Sequence, residues 1–314
     1  MLATLALPLS AADLCQAVRL AKPFNARRLD RVLRLDASAG LVEVQASATW
    51  AGLAAYLRPS APEIAAAWDG AGTVGESVET NAAGPDGRPA VAHVEGIALV
   101  TPEGELRRVN RSQRELFRLA VGGQGLFGAA YSVTLRLESL ARAASEASAP
   151  IVLALPKGET RCRRLDLLVP PASHAAFLVE TRRLCQDWRV AIEGLEVRRT
   201  LAEDETALCW ARREYAAMRL TLAEPPALGG AVRMTQLCRQ LIDSAIAHGG
   251  SFALACTPEA TREQVLACYP ELPGFLAEKR RFDPAERLST PWFRHHRSLL
   301  ARQECEVRWN PQAA

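Results

Sequence analysis

Apolar and polar positions along the chain change period several times, and each change marks an element. After Ser10-Ala11-Ala12-Asp13, a capping-box string, Leu14, Ala17, Val18 and Ala21 fall on one helical face, and Pro23 ends that helix. "LVEVQASATW" alternates through Val42, Val44 and Ala46 and reads as a strand, followed by a short helix from Thr49 to Leu57 that stops at Arg58-Pro59. "GIALVTPEGELRRV" reads as two strands around a turn at Pro102-Glu103-Gly104. Ser112-x-x-Glu115 predicts the start of a helix carrying Leu116, Phe117, Leu119 and Ala120. A glycine-dense loop follows, and then a strand with Ala129, Tyr131, Val133, Leu135 and Leu137 on one side.

Residues 138–150, "ESLARAASEASAP", are small and polar and read as a boundary or surface connection. Beyond them the pattern predicts a helix from Ser173 to Asp187, strand-like runs, and a helix near Met234 to His248 closed by Gly249-Gly250. Another helix opens at Thr261-x-x-Gln264, and one from Leu272 to Arg281 stops at Asp283-Pro284. The fold class expected is α+β.

Composition adds limits. With 314 residues, nearly half of them apolar, the chain can bury the core of one large or two ordinary domains. A formal net charge of +3 is too small to point to nucleic acid, and no apolar run is long enough to span a bilayer. The N-terminal "MLATLALPLSAADL" has no basic leader and reads as mature sequence. Eight scattered cysteines (Cys15, Cys162, Cys185, Cys209, Cys238, Cys256, Cys268, Cys305) form no C-x-x-C pair. They read as reduced thiols of a cytoplasmic protein without a metal site.

Gly123-x-Gly125-x-x-Gly128 has the spacing of a dinucleotide-binding fingerprint. That fingerprint needs a strand entering the glycines and a helix leaving, so that helix amides face the pyrophosphate. Here a helix enters and a strand leaves, and Glu146, at the distance of the expected acidic residue, lies in the small-residue connection. The nicotinamide reading fails on context. What remains is a helix-to-strand loop where backbone approaches something closely, most often its own sheet.

A second glycine segment, "TVGESVETNAAG" (Thr73 to Gly84), lies upstream. Together "LVEVQASATWAGLAAYL", "TVGESVETNAAG", "EGIALVTPEGELRRV" and "ELFRLAVGGQGLFGAAYSVTLRL" resemble, in order and spacing, the FAD-linked oxidoreductases of the vanillyl-alcohol oxidase and p-cresol methylhydroxylase (PCMH) type. "YPELPGFLAEKRRFDPAERLSTPWFRHH" is similar to that family's closing segment. The resemblance implies a PCMH-type FAD-binding fold with a truncated first subdomain and an inserted α/β substrate-type domain. It divides the chain into residues 1–140, 141–270 and a returning 271–314. It also implies FAD as cofactor, with Thr73, Val74, Gly75, Ser77, Asn81, Gly84, Gly122, Gly123, Gly125 and Gly128 facing it and the backbone of Ile97 to Val100 on the adenine side.

The chain departs from that family in four places. No glycine lies between Met1 and Arg34, so the phosphate loop and the histidine that many relatives link to the flavin have no counterpart. Glu76 and Glu79 stand at positions that are small in relatives, and a carboxylate beside a pyrophosphate is repelled unless it turns to solvent. Ser47 and Ala83 replace a glycine and a histidine or serine. "SFALACTPEA" after Gly249-Gly250 offers only Phe252 and Cys256 where relatives carry aromatic, histidine and arginine side chains. The function implied is hydride transfer from an organic substrate to a weakly, non-covalently held flavin. The alternative is a flavin-free descendant that acts as a binding or interaction protein with a protein partner. No catalytic residue is assigned, and no serine, histidine and aspartate stand out as a hydrolytic set. His295-His296 reads as a basic surface end and His248 as a helix C-terminal histidine. His93 stands near the expected cleft. Trp50 and Trp210 read as packing residues, the latter in the substrate-type domain. Arg161 to Arg164, Arg198-Arg199 and Arg212-Arg213 read as solvated faces paired with glutamates.

Overall fold

The computed structural model describes residues 5–68, 72–153, 162–224 and 229–308, the side chains of 153 and 302–308 excepted. Arg161 lies outside the described residues, and Cys305 among the excepted side chains. The chain forms two units. One comprises Met1–Ala149, Thr200–Arg213 and Ala277–Ser289, and the other Pro150–Arg199, Glu214–Leu276 and Thr290–Ala314.

The first unit holds α1 (Ala11–Arg19), β1 (Val32–Asp36), β2 (Leu41–Gln45), α2 (Trp50–Leu57), α3 (Pro62–Ala67) and α4 (Val74–Glu79). After these come β3 (Val94–Val100), β4 (Leu106–Asn110), α5 (Arg114–Ala120), β5 (Ala129–Arg136) and α6 (Leu137–Ser145). Ser10 caps α1 by accepting the Asp13 N–H, and Leu14, Ala17 and Val18 are its buried face. The five strands form an antiparallel sheet in the order β1-β2-β5-β3-β4. Strand β5 is central because it pairs with β2 on one side and β3 on the other. Gly104 closes the β3–β4 turn at φ +78°.

Two expectations are corrected within this unit. Residues 138–150 are not simply a connection: α6 covers most of them, with Leu140 and Ala143, three apart, fully buried in the main core. The capping box before α5 is Asn110 with Gln113, not Ser112 with Glu115. The Asn110 carboxamide oxygen accepts the Ser112 N–H, and a short 3₁₀ turn at Arg111–Gln113 precedes the helix.

The late segments belong to this core. Leu288 packs with Leu14, Val18, Leu29, Val100 and Ala129. Lys279 and Asp283 form a buried ion pair, and the Asp283 carboxylate also accepts the Arg287 and Leu288 N–H groups. Burial pulls the Lys279 ammonium below its usual range, and Asp283 pulls the other way.

The second unit contains β6 (Ile151–Leu153), β7 (Cys162–Val169), α7 (His174–Asp187), β8 (Ile192–Thr200, whose last residue falls in the first unit) and β9 (Tyr215–Ala223). It continues with α8 (Gly230–Ala247), β10 (Ser251–Phe252), α9 (Arg262–Cys268), α10 (Leu272–Phe282, divided between the units) and α11 (Pro291–Arg308). Its sheet has the order β10-β7-β9-β8-β6, and β7 pairs antiparallel with β9 from Cys162↔Ala223 to Val169↔Ala216. Two sheets with helices between and after their strands make the protein α+β.

His296 corrects a further expectation. It is only 2% exposed, and burial lowers its pKa to about 4, so it is a neutral interior residue of α11 rather than part of a basic surface. The His248 ring lies 2.9 Å from the Ser244 carbonyl at the end of α8, as the helix-end reading predicts. Arg198 and Arg199 pair with Glu196 and Glu214. Among the described residues, no helix is long and apolar enough to cross a membrane.

Candidate functional site

The two glycine segments meet in the first unit. "TVGESVE" is not a loop but the start of a helix. Thr73 caps α4 by accepting the Glu76 N–H, and the Glu76 carboxylate accepts the Thr73 N–H in return. Glu76 is therefore exposed and turned onto its own helix end. After α4, Asn81 is fully buried in the left-handed region at φ +51°.

The Gly122–Gly128 loop lies against this turn. The Gly122 N–H donates to the Val78 carbonyl and the Gln124 N–H to the Glu79 carbonyl, at 2.8 and 2.9 Å. Gly122 and Gly125 adopt φ +73° and +70°. A Cβ on Gly122 would approach Asn81, and one on Gly125 would lie 3.6 Å from the Glu79 carboxyl. Gly128 leaves room for Leu99 of β3, and Gly75 for the Ala46 carbonyl at the end of β2. The glycines serve close backbone contact, with this protein's own elements as the partners.

Eight of the ten positions expected to face the cofactor have their backbone N–H engaged by acceptors of the chain itself. Val74 and Gly75 donate to the Ala48 and Ala46 carbonyls, and Ser77 and Asn81 to those of Thr73 and Val78. Gly84, Gly122 and Gly123 donate to Arg88, Val78 and Ala120, while Thr73 donates to the Glu76 carboxylate. The side chains are engaged as well. The Ser77 hydroxyl accepts the Trp50 indole N–H and donates to the Thr73 carbonyl. Asn81 donates to Glu203 and accepts the Val91 N–H. A pyrophosphate needs convergent outward donors, and in this arrangement these residues do not offer them.

One charge is also unfavourable. Burial, with a smaller repulsion from Glu76, lifts the Glu79 carboxyl to about 7. Glu79 is half-buried beside the loop, so of the two glutamates it is the one that bears on the glycines.

Residues 200–213 complete the site and had no signal in the local sequence, because they lie far along the chain from Asn81. The Glu203 carboxylate accepts from the Asn81 side chain, the Thr206 hydroxyl and the Thr206 and Glu205 N–H groups. The Trp210 indole donates to the Asn81 carbonyl, and the Ala207 N–H to that of Arg118. Trp210 thus packs as expected, but within the first unit.

Residues 23–110 match the family model of the FAD binding domain. No curated protein matches the chain. The matched stretch runs through β1 to β4 and contains the whole of α4 and Asn81. Over this region the chain is similar to an FAD binding domain, which supports a flavin-binding oxidoreductase-type family, and FAD is the cofactor that this domain indicates.

Proposed function

We propose that this protein is a flavin-linked oxidoreductase relative that holds FAD non-covalently and weakly, in the cytoplasm, on an organic substrate not yet identified. The match over residues 23–110 carries this reading. Bound FAD supplies the hydride chemistry, and the chain's own residues would supply binding and orientation. The inward amides around α4 and the Gly122–Gly128 loop argue for low affinity, since each outward donor must first leave an internal acceptor. We assign the cofactor side to the first unit, which holds most of residues 1–140 together with 200–213 and 277–289, and the substrate side to the second unit, which holds most of 141–270. The eight scattered cysteines, with no C-x-x-C pair, accord with a reducing compartment.

A second reading, a flavin-free protein that binds a protein partner, is favoured by the Glu79 carboxyl at Gly125. Flavin absorbance of the purified chain, followed by titration with FAD, separates the two. Stoichiometric yellow protein excludes the flavin-free reading. A colourless protein that neither binds nor quenches added FAD excludes the oxidoreductase. Glu79→Gln should tighten FAD at neutral pH by about threefold or more, the effect of removing part of one charge's repulsion.

A further inference from the structure

A cavity of about 400 Å³ opens in the first unit, lined among others by His93, Arg136, Ser139 and Arg142. It lies where β5 runs into α6, at the opposite end of the β3–β5 ladder from Gly128. His93 precedes Val94, which pairs with Leu135, whereas Val100 pairs with Ala129.

Ser139 stands in the first turn of α6, with its Oγ 2.9 Å from Nδ1 of His93. The other ring nitrogen, Nε2, is buried without a hydrogen-bond partner, and Oδ1 of Asp86 lies 3.7 Å from it. His93 is 2% exposed and Asp86 6%, while Ser139 is half-buried on the cavity wall. The His93 ring is further fixed by an edge-on contact with Trp68. Asp86 stays ionised: desolvation would raise its pKa, but the nearby His93 ring and the hydrogen bonds from Arg88 prevail and hold it at about 2. In the tautomer with its proton on Nε2, toward Asp86, the lone pair of Nδ1 faces Ser139.

Donors for a developing oxyanion stand at the start of α6, beside Ser139. As second and third residues of α6, Glu138 and Ser139 have N–H groups with no intrahelical acceptor. The neighbouring acids are turned away, Glu138 onto Arg142 at 2.7 Å and Glu205 onto Arg111 at 2.7 Å, and Arg88 is held by Asp86 and Glu146.

We propose that Ser139, His93 and Asp86 form a hydrolytic site for short carboxylic esters, with Ser139 as nucleophile, His93 as base and Asp86 as the positioning residue. Ser139 Oγ bonds to the ester carbon as its proton passes to Nδ1 of His93. The C–O bond to the alcohol then breaks, and the alcohol leaves with that proton. Water attacks the acyl-serine, gives one proton to His93 and releases the acid, and Oγ recovers its proton from Nδ1. The nitrogens are used in the reverse of the usual order, which the chemistry permits because either can act as base when the other is protonated. The chemistry uses no redox group, and the site lies at the far end of the β3–β5 ladder from Gly128, although Gly84 borders Asp86 and His93.

The test uses the full-length protein, a fluorophosphonate probe and p-nitrophenyl acetate. Peptide mapping should find one fluorophosphonate adduct on Ser139, and ester turnover should continue beyond one equivalent. S139A should abolish both, and H93Q should lower kcat by about 10²–10⁴-fold with retained circular dichroism. D86N should lower kcat while KM is unchanged, a split that loss of packing alone would not give. A folded wild type that is unlabelled, labelled elsewhere, or labelled without turnover overturns the proposal. So does an H93Q protein as active as wild type.

Discussion

Glu79 and Gly123 show how much one position holds in this loop. The Glu79 carboxyl, lifted from 4.5 to about 7 by burial and by Glu76, keeps a proton in the folded state that the unfolded chain has already released. Stability should therefore fall as pH rises from about 4.5 to 7, by at most about 3 kcal/mol and less to the extent that water reaches the group. Urea melts at several pH values should show this slope in the wild type and not in Glu79→Gln. Gly123 has no room for a side chain: a Cβ would lie 1.9 Å from the Leu119 carbonyl oxygen. Gly123→Ala should cost about 1–3 kcal/mol, read as a lower urea midpoint with unchanged slope.

Elements differ in how plainly the sequence announces them. Helix α1 and strand β2 were legible because cap, period and stop agree in each. Helix α6 was not, because its alanines and serines look like a linker and only Leu140 and Ala143 reach the core. Helix α4 carries a Thr73-x-x-Glu76 capping box, and its Gly75, a residue shared by ligand loops and close helix packing, serves the packing against Ala46. Before α5, two overlapping candidates competed, and Asn110 won because its carboxamide reaches the Ser112 amide. The end of α10 depends on one side chain. Asp283 neutralises Lys279 and receives two backbone N–H groups, so Asp283→Ala should destabilise the protein by about 3–5 kcal/mol, measurable by chemical denaturation.

For the whole molecule, the first unit is built from three separated stretches of chain. The resemblance to the oxidoreductase family conveyed its early strands and the returning C-terminal segment, because those rest on local patterns. It did not convey that residues 200–213 lie against Asn81 and Gly122, or that Asp86, His93 and Ser139 converge, since such contacts join residues with no common periodicity. A fragment of residues 1–149 lacks Leu288, Glu203 and Trp210, and so leaves part of its core and the Asn81 carbonyl without partners. It should bind a hydrophobic dye and exchange its Val91 and Gly122 amides faster than the full chain in hydrogen-exchange measurements.

The return of residues 277–289 to a core begun at Leu14 also matters during synthesis. At about 5–20 residues per second, a ribosome that has made Ala149 takes roughly 7–28 s more to reach Ser289. Throughout that interval the nascent first unit presents an unfinished apolar surface around Val100 and Ala129. Chaperone capture of the emerging chain should be concentrated there and should end when Leu288 leaves the exit tunnel.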